Sequence, residues 1–269
     1  MTFLQYLIPQ HLLSNLMHRF ARIEIVWLKN TFLRWFVKKY DVNLSEAQRG
    51  KIEDYKHIND FFTRSLKPGV RSLADATIIS PVDGVVSQAG VVHFSRVLQA
   101  KGQSYSVQQL LADESSDQFE EGQFATIYLS PKDYHRIHMP FDGSLVSMKY
   151  VPGDLFSVNQ KTAQKVDGLF ARNERLICFF DTDFGEVAFI LVGAIMVGSM
   201  EVVWEGRITP PYTKSVKEFD YRAKDIELVK GEEMGRFNMG STVIIVLPKD
   251  APKMNLSELE RLRMGQAII

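Results

Sequence analysis

The chain has 269 residues, 45% of them hydrophobic, with 32 basic and 32 acidic side chains. That is enough apolar material for one domain or two closely packed ones, and the zero net charge gives no electrostatic reason to expect a nucleic-acid partner. One cysteine, Cys178, excludes an internal disulfide and suits a reducing compartment.

The balance of charge hides an asymmetry. Residues 1–40 hold Arg19, Arg22, Lys29, Arg34, Lys38 and Lys39 against Glu24 alone. After Pro9, the positions Leu12, Leu13, Leu16, Met17, Phe20, Ile23 and Trp27 recur at helical spacing, which predicts one helix. A second stripe, Phe32, Leu33, Phe36, Val37 and Tyr40, follows Asn30-Thr31, an N-cap candidate. Residues 1–65 therefore read as helical, with aromatic residues on the apolar faces and Arg and Lys on the polar ones. Such a region is either an ordinary helical subdomain or an amphipathic surface lying in a lipid interface. It does not span a membrane, since no stretch reaches roughly 18 uninterrupted apolar residues.

From about residue 76 to 250, short apolar runs are punctuated by Gly, Pro and Asp, the pattern of a β-rich domain. The segment Pro81-Val82-Asp83-Gly84 is echoed by Pro140-Phe141-Asp142-Gly143, each an Asp-Gly turn launching a strand. Cys178, between Leu176-Ile177 and Phe179-Phe180, is expected in a buried strand. Val187 to Met200 reads as a strand pair with a turn, 242–248 as the last strand, and Leu256 to Met264 as a short terminal helix. The fold class is α+β: a helical region, 1–65, packed on a β-rich domain, 66–269.

Three motifs can carry chemistry. Ser80-Pro81-Val82-Asp83-Gly84 supplies an acid. Tyr134-His135-Arg136-Ile137-His138-Met139-Pro140 supplies two histidines, with no third ligand at metal spacing. Gly240-Ser241-Thr242 opens the apolar run Val243 to Leu247. Asp, His and Ser are the parts of a nucleophile relay, but the G-x-S-x-G elbow of a hydrolase is absent. The acyl carbon nearest to Ser241 is that of Gly240 itself, and such intramolecular placement is worth roughly 7–11 kcal/mol of barrier. A hydrolase using Ser241 directly stays open at this point. So does a biotinyl- or lipoyl-carrier hammerhead bearing Lys149, although Lys149 falls within a strand and away from the turn at Pro152-Gly153-Asp154.

These motifs, with Ile58-Asn59-Asp60-Phe61-Phe62-Thr63-Arg64 and Gly153-Asp154-Leu155-Phe156-Ser157-Val158-Asn159, occur in an order that closely resembles phosphatidylserine decarboxylase proenzymes of the bacterial, membrane-associated type. The one departure is Met239, where the family has Leu. The resemblance implies that Asp83 orients His138, that His138 takes the Ser241 proton, and that Ser241 attacks the Gly240 carbonyl. An ester forms and eliminates, leaving a dehydroalanine that hydrolyses to a pyruvoyl group, the covalent cofactor, and ammonia. The products would be a β chain, 1–240, and an α chain, 241–269, held as a heterodimer that can dimerise further. The pyruvoyl carbonyl would form a Schiff base with phosphatidylserine and act as electron sink for loss of CO2, with His135 as the acid/base of that step. It also implies a peripheral protein on the anionic, cytoplasmic face of the inner membrane. The residues of 206–214 read either as a basic, aromatic loop over the headgroup or as an ordinary exposed hairpin, and the spacing of the histidines predicts no metal.

Overall fold

The computed structural model describes residues 3–100, 103–113, 116–196, 199–238 and 241–269, and of Ser241 the backbone alone. Helices α1 (Gln10–Phe20) and α2 (Val26–Tyr40) are followed by the short α3 (Ile58–Phe62). The expected single helix to Trp27 is broken after Phe20. The Ala21 carbonyl accepts the Asn59 N–H of α3 at 2.8 Å, so it cannot continue the helical ladder. The chain re-enters a helix at Ile25, whose carbonyl accepts from Lys29 N–H at 2.9 Å. Trp27 therefore belongs to α2, and Asn30-Thr31 lies inside that helix, not at its cap. Leu33 and Phe36 of α2 pack with Tyr55, Phe61 and Phe62 in a small core of their own.

The remainder is β-rich. Strands β1 (Gly84–Val91), β2 (Arg96–Ala100) and β3 (Gln103–Ser106) precede helix α4 (Val107–Leu111). Then come β4 (Gln123–Leu129), β5 (Arg136–His138) and β6 (Gly143–Val151), helices α5 (Gln160–Ala163) and α6 (Leu169–Arg172), and β7 (Arg175–Thr182) with β8 (Gly185–Val192). The chain finishes with β9 (Met200–Val202), β10 (Gly206–Arg207), β11 (Lys217–Asp220), β12 (Glu227–Leu228), β13 (Glu233–Phe237), β14 (Ser241–Leu247) and β15 (Arg261–Leu262). The fold is α+β with a β-rich body. Both Asp-Gly pairs launch strands, β1 and β6, as their turn chemistry predicts.

Among the described residues nine strands form one sheet, in the order β11-β6-β7-β8-β14-β4-β1-β15, with β12 beside β6. The centre of this sheet is buried on both faces. Along β14, Val243, Ile245 and Leu247 enter one core, while Ile244 and Val246 enter the other. This explains an unbroken apolar run where a half-exposed strand would alternate. Cys178 is buried on β7, and burial pushes its thiol up.

Two expectations fail for tertiary reasons. Val187 to Met200 is no strand pair, because β8 joins the large sheet and β9 a second sheet ordered β10-β9-β13-β5. Leu256 to Met264 forms no helix. Its Arg261 and Leu262 pair with Val85 and Gly84 as β15, and Asn255 N–H bonds the Ile268 carbonyl. Lys149 lies inside β6 with its ammonium bonded to Asp113 at 2.9 Å, so it is no lysine on a turn.

Candidate active site

The second sheet presents the chemistry. Strand β5 carries Arg136, Ile137 and His138, and it pairs with β13, which leads to Asn238 and then to the Gly240-Ser241 bond. Met239, Gly240 and the Ser241 side chain lie outside the described residues. The approach to the bond is clamped: buried Asn238 donates its N–H to the Ser199 carbonyl and its amide to Ser199 Oγ, both at 3.0 Å, and its Oδ1 accepts from Asn59 Nδ2 at 2.8 Å. Beyond it, the Ser241 backbone pairs with Leu129 of β4.

His138 is half-buried. Its Nδ1 donates to the Gly231 carbonyl at 2.7 Å, which fixes the tautomer and leaves Nε2 as the basic nitrogen. Nε2 accepts from the Tyr134 hydroxyl at 3.0 Å, and burial raises the Tyr134 phenol, so it stays protonated as the donor. Burial lowers the His138 pKa, an effect the Gly231 carbonyl partly offsets, and the imidazole is neutral at pH 7.

Asp83 does not hydrogen-bond His138, in contrast to the orienting contact that the family resemblance implies. Its Oδ1 accepts from Arg71 Nε and from the Met264 N–H, both at 2.9 Å, and its Oδ2 accepts from Arg71 Nη2. Arg71 also donates to Glu46 at 2.8 Å. Burial alone would lower the Arg71 pKa; its bonds to Asp83 and Glu46 outweigh that and raise it. The ring-orienting role expected of Asp83 is thus filled by the Gly231 carbonyl, and Asp83 acts on His138 only as a nearby negative charge. The loop is still tied to β5, since the His138 N–H bonds the Pro81 carbonyl at 2.9 Å.

His135 is fully buried against the Phe62 ring, 4.2 Å between centroids. Its Nδ1 donates to the Asp133 carbonyl at 2.8 Å, and Nε2 has no partner among the described residues. Burial, aided by the Arg64 charge, pushes it down to about 3. At neutral pH this imidazole is uncharged, with Nε2 as a hydrogen-bond acceptor. Arg64, also buried, donates to the carbonyls of Lys132 and Asp133. The polar cleft at this site, about 230 Å³, is lined by Arg64, Arg71, Asp83, Asp133, Tyr134 and Arg261.

Asp83 and His138 thus lie in one place, with His135 on the adjoining turn. No motif or spacing in the chain points to Arg71, Gly231 or the clamp on Asn238. Tyr134 stood inside a quoted motif, and its spacing of four residues before His138 was the available signal.

A family model described as phosphatidylserine decarboxylase matches residues 58–269, and one described as PSD matches residues 1–41. Phosphatidylserine decarboxylase proenzymes from Shewanella amazonensis and Methylobacillus flagellatus are each 52% identical, over 92% of this chain and 89% of the relative. The proenzyme from Shewanella loihica is 50% identical over 98% of this chain and 96% of its own length. On the ordered motifs, the β5–β13 geometry and these similarities together, the chain belongs to the phosphatidylserine decarboxylase family.

Proposed function

We propose that the chain is a self-processing phosphatidylserine decarboxylase, converting phosphatidylserine to phosphatidylethanolamine and CO2 for phospholipid biosynthesis. The observation that carries the reading is the place of Ser241, at the first position of a strand paired on both sides, by β4 and by β8. A cut before it leaves the shorter chain, 241–269, woven into the sheet. In self-processing, His138 Nε2 is the atom that takes up the hydroxyl proton, and Gly231 holds the ring so that this nitrogen is the basic one. The Tyr134 hydroxyl must release Nε2 or pass the proton along. Asp83 favours the imidazolium through its charge.

A pyruvoyl group made from Ser241 would stand at the end of the segment that follows β13, whose Phe237 N–H bonds the His135 carbonyl at 3.1 Å, and buried His135 keeps one nitrogen unpartnered; when present the group supplies the electron sink for decarboxylation. His135 Nε2 is the proposed site of proton handling in that step. We read the paired Asp-Gly starts of β1 and β6 as the two halves of a hammerhead-like body.

The working site is an anionic membrane surface, the cytoplasmic face of the inner membrane. Helix α1 exposes Leu12 (58%) and Leu16 (54%), and α2 exposes Trp27 (71%) and Trp35 (53%). Of the six basic residues in residues 1–40, Arg19, Arg34, Lys38 and Lys39 are exposed with them, and an exposed basic residue is worth about 1 kcal/mol near an anionic leaflet. No helix among the described residues is long and apolar enough to cross a membrane. Intact mass under denaturing conditions tests the reading. Wild type should give two fragments, the shorter blocked at its amino end, and Ser241→Ala one full-length chain. A free α-amino group on the shorter fragment would overturn the mechanism.

A further inference from the structure

A second cleft, of about 700 Å³, opens between α1 and the loop after β10. His11, His18 and Arg19 line one wall; Arg207 and Tyr212 line the other. Tyr212 meets the His11 ring edge-on at 4.8 Å, which closes one end. The connection between β8 and β9 touches the same helix, since the Met196 N–H bonds Ser14 Oγ.

The charge here is unbalanced. Among the described residues, Arg19, Arg207 and Arg22 form no ion pair. The acid facing them is Glu201, opposite Arg207 in the β9–β10 register, and its carboxylate also lies 3.7 Å from Arg236. Burial and the nearby Arg207 guanidinium lower the Arg22 pKa. His18, held down to about 4 by burial, Arg22 and Arg207, is neutral and keeps a buried, unpartnered Nε2. Three guanidinium groups against one carboxylate, itself shared with Arg236, leave an excess of positive charge that an anion relieves.

The outer lip is of the opposite kind. Leu12 and Leu16, half-exposed or more, line the same cleft, and Leu7 lies exposed just before the helix. A ligand that satisfies both parts has an anionic head and apolar tails. Guanidinium groups bind phosphate oxygens in bidentate fashion.

We propose that this cleft binds the phosphodiester of a membrane phospholipid, with Arg19 and Arg207 on its oxygens and Leu12 and Leu16 among the acyl chains. The proposal rests on the membrane-facing reading of residues 1–65. The lipid is either the substrate molecule or an anionic neighbour, since both offer the same phosphodiester.

The test uses the mature two-chain protein, the pair Arg19→Gln with Arg207→Gln, and a control pair, Lys38→Gln with Lys39→Gln, which removes equal charge from exposed positions at the end of α2. Arg207→Gln alone, on an exposed two-residue strand, guards against misfolding of the double variant. The first readout is titration with monomeric dihexanoyl phosphatidylglycerol, which presents no charged surface. Saturable binding by wild type, weakened about tenfold or more in the Arg19/Arg207 variant and kept in the control, supports the site. Absence of saturable binding, or equal affinity in all variants, overturns it. A fall in kcat/KM for monomeric dihexanoyl phosphatidylserine assigns the cleft to the substrate. A fall confined to retention on phosphatidylglycerol vesicles assigns it to a neighbouring lipid. Wild type that fails to sediment with those vesicles defeats the membrane reading itself. Wild type and Arg19/Arg207 variant that sediment alike and bind the monomer alike defeat only the site.

Discussion

Glu174, just before β7, is fully buried and accepts from the Tyr150 hydroxyl at 3.0 Å. Burial, opposed by hydrogen bonds from Tyr150 and Thr209, pushes it up to about 8 from an ordinary 4.5. The folded chain then holds one proton that the unfolded chain has lost between these two values. Stability from this group is complete below pH 4.5 and falls as pH rises toward 8, by about 1.4 kcal/mol per pH unit. Across the whole window the loss is about 5 kcal/mol. Glu174→Gln keeps the shape and removes the titration. Urea unfolding of Glu174→Gln and its parent, both in an uncleaved Ser241→Ala background, from pH 5 to 7.5 measures the difference. The variant should gain on the parent by about 1.4 kcal/mol for each unit of pH. A difference that stays flat across that range would show that the carboxyl is ionised in the fold and refute the reasoning.

Three further outcomes are expected. Arg71→Ala strands the buried Asp83 carboxylate and should cost about 3–5 kcal/mol in urea unfolding; a loss below about 1 kcal/mol would mean the pair is solvated. His135→Asn should leave a chain that still cleaves but decarboxylates at least about 100-fold more slowly, and loss of cleavage as well would end the division of labour between the two histidines. Gly231→Ala places a side chain on a backbone with φ +87°, against Leu73. Strain of about 1–2 kcal/mol should displace the carbonyl that holds His138 Nδ1, so self-cleavage, followed by gel over time, should slow several-fold; an unchanged rate would free Gly231 from that role.

What was legible in the chain was local. Asp83-Gly84 and Asp142-Gly143 launch strands because turn chemistry is short-ranged, and the unbroken run Val243 to Leu247 marks a strand covered on both faces. What was not legible depends on partners far away in sequence. Asn59 claims the Ala21 carbonyl and ends α1, and Val85 recruits Arg261 out of a predicted helix. The same holds at the site: nothing near Arg71 or Gly231 signals that one takes Asp83 and the other takes His138. The helical region is also less separable than its composition suggests. Leu33 and Phe36 pack on Phe61 and Phe62, and Phe62 lies on His135, so a truncation of residues 1–40 would disturb the site along with any membrane contact.

The C-terminal stretch would give the proposed scission before Ser241 an unusual outcome. Its first strand runs between β8 and β4, while near its far end Leu262 pairs with Gly84 and the Met264 N–H rests on Asp83. The piece that the proposed cut would release is gripped at both extremities by the body of the protein, and one grip falls on Asp83. Under the proposed self-processing, maturation would be a one-way, once-only event for each molecule: the fragment could not be traded with a neighbour's without dismantling the central sheet, so the pool of working enzyme would record how many molecules had been cut.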